Sequence, residues 1–116
     1  MNIKSQLLKP VSLSTVTVTM FDGEFKVKRL TTARLNQHDK DVKKHTETQN
    51  GEKLNTAAAK LVLDSILDEN DQPLSESVTP EQLMEIHTPL AINAAMRQII
   101  QVNYLGKDAE ETAKKD

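Results

Sequence analysis

Cysteine is absent from the 116 residues, tryptophan is absent too, and the aromatic side chains are only Phe21, Phe25 and Tyr104. Without cysteine there is no disulfide scaffold, no thiolate metal site and no thiol nucleophile, and a cytosolic setting is compatible with this composition. Three aromatics are few for a β-sandwich, so the core has to come from Leu, Ile, Val, Ala and Met, as in a helical protein. Glycine is equally scarce: Gly23, Gly51 and Gly106 are isolated, and none sits in a phosphate-binding loop. No apolar run approaches the roughly 20 residues of a membrane span. The opening segment, residues 1–10, carries Lys4 and Lys9 and loses its apolar character after Leu8, unlike a secretory signal.

Charged residues make up 28% of the chain, with a net charge of −2 that is unevenly spread. Residues 1–60 hold 11 Lys/Arg against 6 Asp/Glu, and residues 61–116 hold 4 against 11. Between Asp64 and Glu85 lie seven acids and no base. Such asymmetry suits an intramolecular match of two faces, head-to-tail self-association or a basic partner. It does not suit nucleic acid, because the excess of basic residues is dispersed over sixty positions rather than gathered in a stripe.

What is present reads as a single α+β domain over residues 1–106, an N-terminal β-hairpin on about four helices. Residues 1–12 are expected to be a loose lead-in and residues 107–116 a flexible, disordered charged tail. Thr15–Met20 and Phe25–Arg29 alternate with period two around Asp22-Gly23, a type I′ turn pair. With Asp22-Gly23 as the loop, Met20 faces Phe25 and Val18 faces Val27 on one side, while Thr17, Thr19, Lys26 and Lys28 turn to water. A polar helix capped by Thr32 is expected to about Lys44, followed by a loop over His45–Lys53. Leu54, Ala57, Ala58, Leu61, Val62, Ser65 and Ile66 then repeat at helical spacing. Thr79-Pro80-Glu81-Gln82 has the form of a capping box with proline at the first helical position. The last helix, Leu90–Leu105, is apolar almost all round and is expected to close at Gly106. Ile92, Met96, Ile99 and Ile100 form its expected core face. Ala91, Ala95 and Val102 form the flank expected to be available to a partner. The expected core as a whole is Val18, Phe25, Val27, Leu61, Ile66, Leu83, Ile92, Met96 and Ile99.

No catalytic, cofactor or metal site emerges, so the chain does not read as an enzyme. His38, Asp41 and His45 share one possible helix face but provide no third strong ligand beyond the two histidines. Asp68-x-Asn70-x-Gln72 opens like a calcium loop, yet Pro73 stands where the turn glycine belongs and Thr79 where the bidentate glutamate belongs. No Ser-His-Asp set can be recognised from order alone.

The hairpin Val16–Arg29, the run Leu61-Val-Leu-Asp-Ser-Ile-Leu-Asp-Glu-Asn-Asp-Gln-Pro-Leu74, Thr79-Pro-Glu-Gln-Leu-Met84 and the ending Asn103-Tyr-Leu-Gly106 follow one another in a distinctive order. This organisation resembles the tail assembly chaperones of lambda-like, long-tailed bacteriophages over about three-quarters of the chain. Members of that family often carry an acidic D-E-D-G-K-P turn, where this chain has Asp68-Glu-Asn-Asp-Gln-Pro73. The resemblance implies a host-cytoplasmic protein, absent from the mature virion. Such a chaperone would bind the tape-measure protein, keep it soluble and help recruit tail tube subunits. It also implies a longer product of ribosomal frameshifting near the end of the gene, with Ala113-Lys114-Lys115 as a candidate slip site and Gly106-Lys107 as a second, that would engage the tail tube protein. A homo-oligomer is compatible with the charge asymmetry, and neither nucleic acid nor membrane is implied. Two other readings fit the same residues: a minor connector or tube-associated tail protein, and a small non-enzymatic regulatory protein.

Overall fold

The computed structural model describes residues 2–9 and 13–115, with side chains as far as Leu105. It is α+β: a one-turn helix α1 (Ile3–Leu7), strands β1 (Thr15–Met20) and β2 (Gly23–Lys28), then helices α2 (Thr32–Glu47), α3 (Gly51–Ser65), α4 (Pro80–Ile86) and α5 (Pro89–Lys115).

The hairpin forms with a register two residues away from the expected one. Phe21 (φ 50°) and Asp22 (φ 61°) occupy the two positive-φ positions of the turn, and Gly23 joins β2 opposite Met20. Val18 therefore pairs with Phe25 and Val16 with Val27, instead of Met20 with Phe25 and Val18 with Val27. Because the shift is even, no residue changes face, and Val16, Val18, Met20 and Val27 are all buried together. The Phe25 ring lies over the bare face of Gly23, whose missing Cβ would sit 3.5 Å from Phe25 Cε2. The cost of the alternative turn falls on Phe21, a bulky residue held in the left-handed region, at about 1–2 kcal/mol.

The buried face of the hairpin rests on α3 and α5. Leu61, Val62, Ile66, Ala95, Ile99 and Val102 complete its core with the strand valines and Met20. A second cluster, Ala58, Ala59 and Ile92, is covered in part by Phe21, Leu83, Met84 and Met96. Of the expected core, Val18, Val27, Leu61, Ile66, Ile92 and Ile99 are buried, while Phe25, Leu83 and Met96 are half-buried against it. The helix α3 is buried over more than the single face its periodicity suggests, since Ala59 and Leu63 are inside as well. It packs on α2, α4 and α5 at once, and three consecutive alanines, Ala57–Ala59, let neighbouring backbones approach.

Local signals explain most helix ends. The capping box at α4 is complete: Thr79 Oγ1 accepts from Gln82 N at 3.2 Å and Gln82 Oε1 accepts from Thr79 N at 2.8 Å. Thr31, rather than Thr32, caps α2, accepting from Arg34 N. The expected loop over His45–Lys53 is largely helical; only Thr48–Asn50 interrupt the chain, and Asn50 caps α3 by accepting from Lys53 N at 3.1 Å. Nor does α5 stop at Gly106, since its backbone runs on to Lys115. The side chains of the charged segment beyond Leu105 lie outside the described residues.

After α3 the chain adds a short third rung to the sheet. Ile66 bridges Val27, Leu67 N donates to Lys26 O at 2.9 Å, and Leu74 N donates to Ile66 O at 2.9 Å. The acidic turn between them is closed by Asp68 Oδ1, which accepts from Asn70 N and Gln72 N at 2.8 and 3.0 Å. Lys26 Nζ meets Asp71 Oδ1 at 2.8 Å, and Arg34 Nε and Nη2 meet Asp64 Oδ2 at 2.8 and 2.6 Å. Both ion pairs join a base from the N-terminal half to an acid of the Asp64–Glu85 run, so part of the charge asymmetry is matched within the molecule. Both are partly exposed and contribute at most about 1 kcal/mol each.

His38 is the one buried histidine among the described residues, at 3% exposure on α2. Burial lowers its pKa from the ordinary 6.5, reinforced by the Arg34 charge and opposed by Asp39 and Asp41. With the folded value below the unfolded one, the unfolded chain takes up the proton first as pH falls. Stability is therefore complete above the ordinary histidine value and declines as pH drops below it toward the folded value. Urea titrations from about pH 8 to about pH 5 should show a falling midpoint, and His38→Gln should flatten that decline. An equal decline in the variant would assign it to other groups.

Candidate functional site

The first turns of α5 pass beneath the tip of the hairpin, and the two leave an open groove between them. Thr88 starts the helix, its Oγ1 accepting from Ala91 N at 3.2 Å, and Pro89 follows at the first helical position. Farther along, Gln98 Nε2 donates to Thr19 O at 2.9 Å, and at the far end of the hairpin Leu30 N donates to Asn103 Oδ1 at 2.6 Å. Arg29 Nε also donates to Val102 O at 3.3 Å, so the middle of α5, from Gln98 to Asn103, is tied to both ends of the hairpin.

Ala91, Ala94 and Ala95 floor the groove, and Phe21 and His87 wall one end. The strained Phe21 ring is held edge-on to Phe25, with centroids 6.3 Å apart, and tilted against the His87 imidazole at 4.3 Å. Three alanines leave room where larger side chains would have filled the gap between helix and hairpin. The result is a shallow trough of mixed lining, Thr19, Asp22 and Gln98 joining Met20 and the alanines, with an aromatic end wall; it suits one face of an amphipathic helix.

The three residues expected on an exposed flank part company here. Ala91 is half-buried and lines the groove. Ala95 and Val102 are 2% and 3% exposed and belong to the core. The buried stripe of α5 is Ile92, Ala95, Ile99 and Val102, spaced three, four and three, because hairpin and α3 close over that line. Met96 and Ile100, expected on the core face with Ile92 and Ile99, flank the stripe and are half-buried. Phe21, His87 and Ala94 were not expected at the site. Ala94 stands three after Ala91, a spacing that was there to be read, whereas the approach of Phe21 to His87 has no signal in sequence order.

Among the described residues, large apolar side chains are also exposed elsewhere. Ile86 and Leu90 are 77% and 75% exposed at the α4–α5 junction. Ile3 and Leu7 are each 80% exposed on α1, and Tyr104 and Leu105 are about 60% exposed on α5. Among the described residues, no group of three or more His, Asp or Glu is placed to hold a metal ion, and no helix is long and apolar enough to cross a membrane. Compared with known protein families, with curated proteins and with solved structures, the chain matches none of them.

Proposed function

We propose that this chain is a phage tail assembly chaperone that binds an apolar helical segment of the tape-measure protein and keeps it soluble while tube subunits gather. The observation that carries the reading is the alanine-floored trough beside α5, with the exposed Leu90 at its start and Tyr104 and Leu105 toward the other end of the helix. An alanine-floored groove that also presents Thr19, Asp22 and Gln98, with exposed aliphatic and aromatic side chains along the same helix, offers an amphipathic helix both apolar and polar contacts. Many copies along one long helix would hold it by multivalency, so each contact can be weak. The order of sequence features in the hairpin, the acidic turn and the Thr79 helix start supports the same assignment.

Co-expression with a helical tape-measure fragment tests it. The wild-type chain should keep the fragment in the supernatant, and Ala94→Glu or Ala91→Glu, which place a carboxylate in the trough, should send most of it to the pellet. Ala94 is exposed, so that variant should stay folded. If Ala94→Glu protects the fragment as well as the parent does, the trough is not the contact.

A further inference from the structure

We infer that the N-terminal segment Ile3–Leu8 docks on the α4–α5 junction of a second copy of this chain. The segment has a complete local structure, and among the described residues nothing buries it. Asn2 caps it, its Oδ1 accepting from Lys4 N at 2.9 Å, yet none of its residues is buried. Ile3 and Leu7, one helical turn apart, present one apolar face, Leu8 extends it to 68% exposure, and Lys4 and Lys9 flank it.

The junction carries the complementary features. Ile86 and Leu90 stand out next in sequence to a small dimple lined by Met84, Pro89 and Ile92 together with Asn55 and His87. Beside them Glu81 and Glu85, a helical turn apart on α4, are exposed and have no ion pair among the described residues. Lysines next to an apolar face on one element and glutamates next to the exposed Ile86 and Leu90 on the other match in both hydrophobicity and charge.

Reach favours another copy as the partner. The arm is rooted at Leu13, which lies beside Leu30, Asp64 and Pro73 at the open end of the hairpin. The junction lies at the opposite end, where His87 stacks on the turn residue Phe21. The strand from Ser14 to Phe21 separates them by about 23 Å, at about 3.3 Å per residue. The six steps from Leu13 back to Leu7 span at most about 22 Å when fully extended. Folding back onto its own junction would leave α1 no slack to lay its face down. A second copy can bring its junction to the arm without that constraint, and two reciprocal arms would close a symmetric pair.

Sedimentation of the full chain over a concentration series tests this, and because it needs no tape-measure fragment its outcome is separate from that of the solubility assay. The parent should self-associate, more weakly at high salt. Ile3→Glu with Leu7→Glu, and separately Ile86→Glu with Leu90→Glu, should each raise the dissociation constant about tenfold or more. All four positions are at least 75% exposed, so circular dichroism should be unchanged. Lys4→Glu and Glu85→Lys should each weaken association, and their combination should restore it. A parent that stays monomeric at every concentration overturns the inference, whether α1 then proves to bind its own junction or vesicles of anionic lipid. Association that survives either apolar double variant overturns it equally.

Discussion

Ala95→Glu should unfold the domain, whereas Ala94→Glu, one residue away, should leave its stability within about 0.5 kcal/mol. Ala95 is 2% exposed and packed in the cluster that contains Val18, Leu61 and Ile99. Although Ala95 touches the base of the groove, it is almost fully covered, so a glutamate there adds volume to a packed position and puts a carboxylate among aliphatic side chains. Overpacking alone costs about 1–3 kcal/mol, and an unpaired buried charge adds several more or forces the group to neutralise. A domain of this size has roughly 5–15 kcal/mol in total, so the sum removes most or all of it. Val102→Asp should behave like Ala95→Glu for the same reason. Urea unfolding followed by circular dichroism separates the two neighbours directly. An Ala95→Glu variant with the parent's midpoint would mean that α5 is rotated from the position described, with Ala95 outward.

Leu61→Ala and Ile99→Ala should each lower stability by about 2–5 kcal/mol while leaving a folded protein at low temperature. Both side chains have no exposed surface, and they lie on the two helices that meet beneath the hairpin, α3 and α5. Removing either leaves a cavity bounded by β-branched residues, Val18, Val27 and Val62, whose stiff χ1 angles limit collapse into the space. A loss below about 1 kcal/mol at both positions would place the core elsewhere. Leu90→Ala offers the contrast: at 75% exposure it should change stability by no more than about 0.5 kcal/mol, although the same number of side-chain carbons is removed as at Leu61.

Several elements were legible from local chemistry because their causes are local. The capping box at Thr79–Gln82 depends only on a hydroxyl and an amide three residues apart, and it forms as expected. The face of each hairpin residue follows from period-two alternation and survives a two-residue change of partner. The buried line through Leu61, Val62 and Ile66 follows from helical spacing. The turn itself was less legible. Asp22-Gly23 has the better intrinsic preference, and Phe21-Asp22 carries the positive φ angles instead. That choice brings Val16 opposite Val27 over the core and lets Phe25 cover Gly23, gains in packing that no dipeptide preference contains.

The sequence by itself determined the class of the fold, the places where most helices begin, the inward and outward faces of the strands and an aliphatic core without thiol chemistry. These follow from side-chain periodicity, from caps and from composition, all of which act over a few residues. Only the tertiary structure decided which line of α5 is inside. The helix is apolar nearly all round, so its own pattern admits several buried faces, and the choice falls to the neighbours: hairpin and α3 close over Ile92, Ala95, Ile99 and Val102. The same closure leaves Ala91 and Ala94 in an open trough and brings Phe21 against His87, 66 positions later in the chain. Which small residue becomes core and which becomes surface is set by the helix's rotation against its partners, a long-range packing property that a local pattern does not encode.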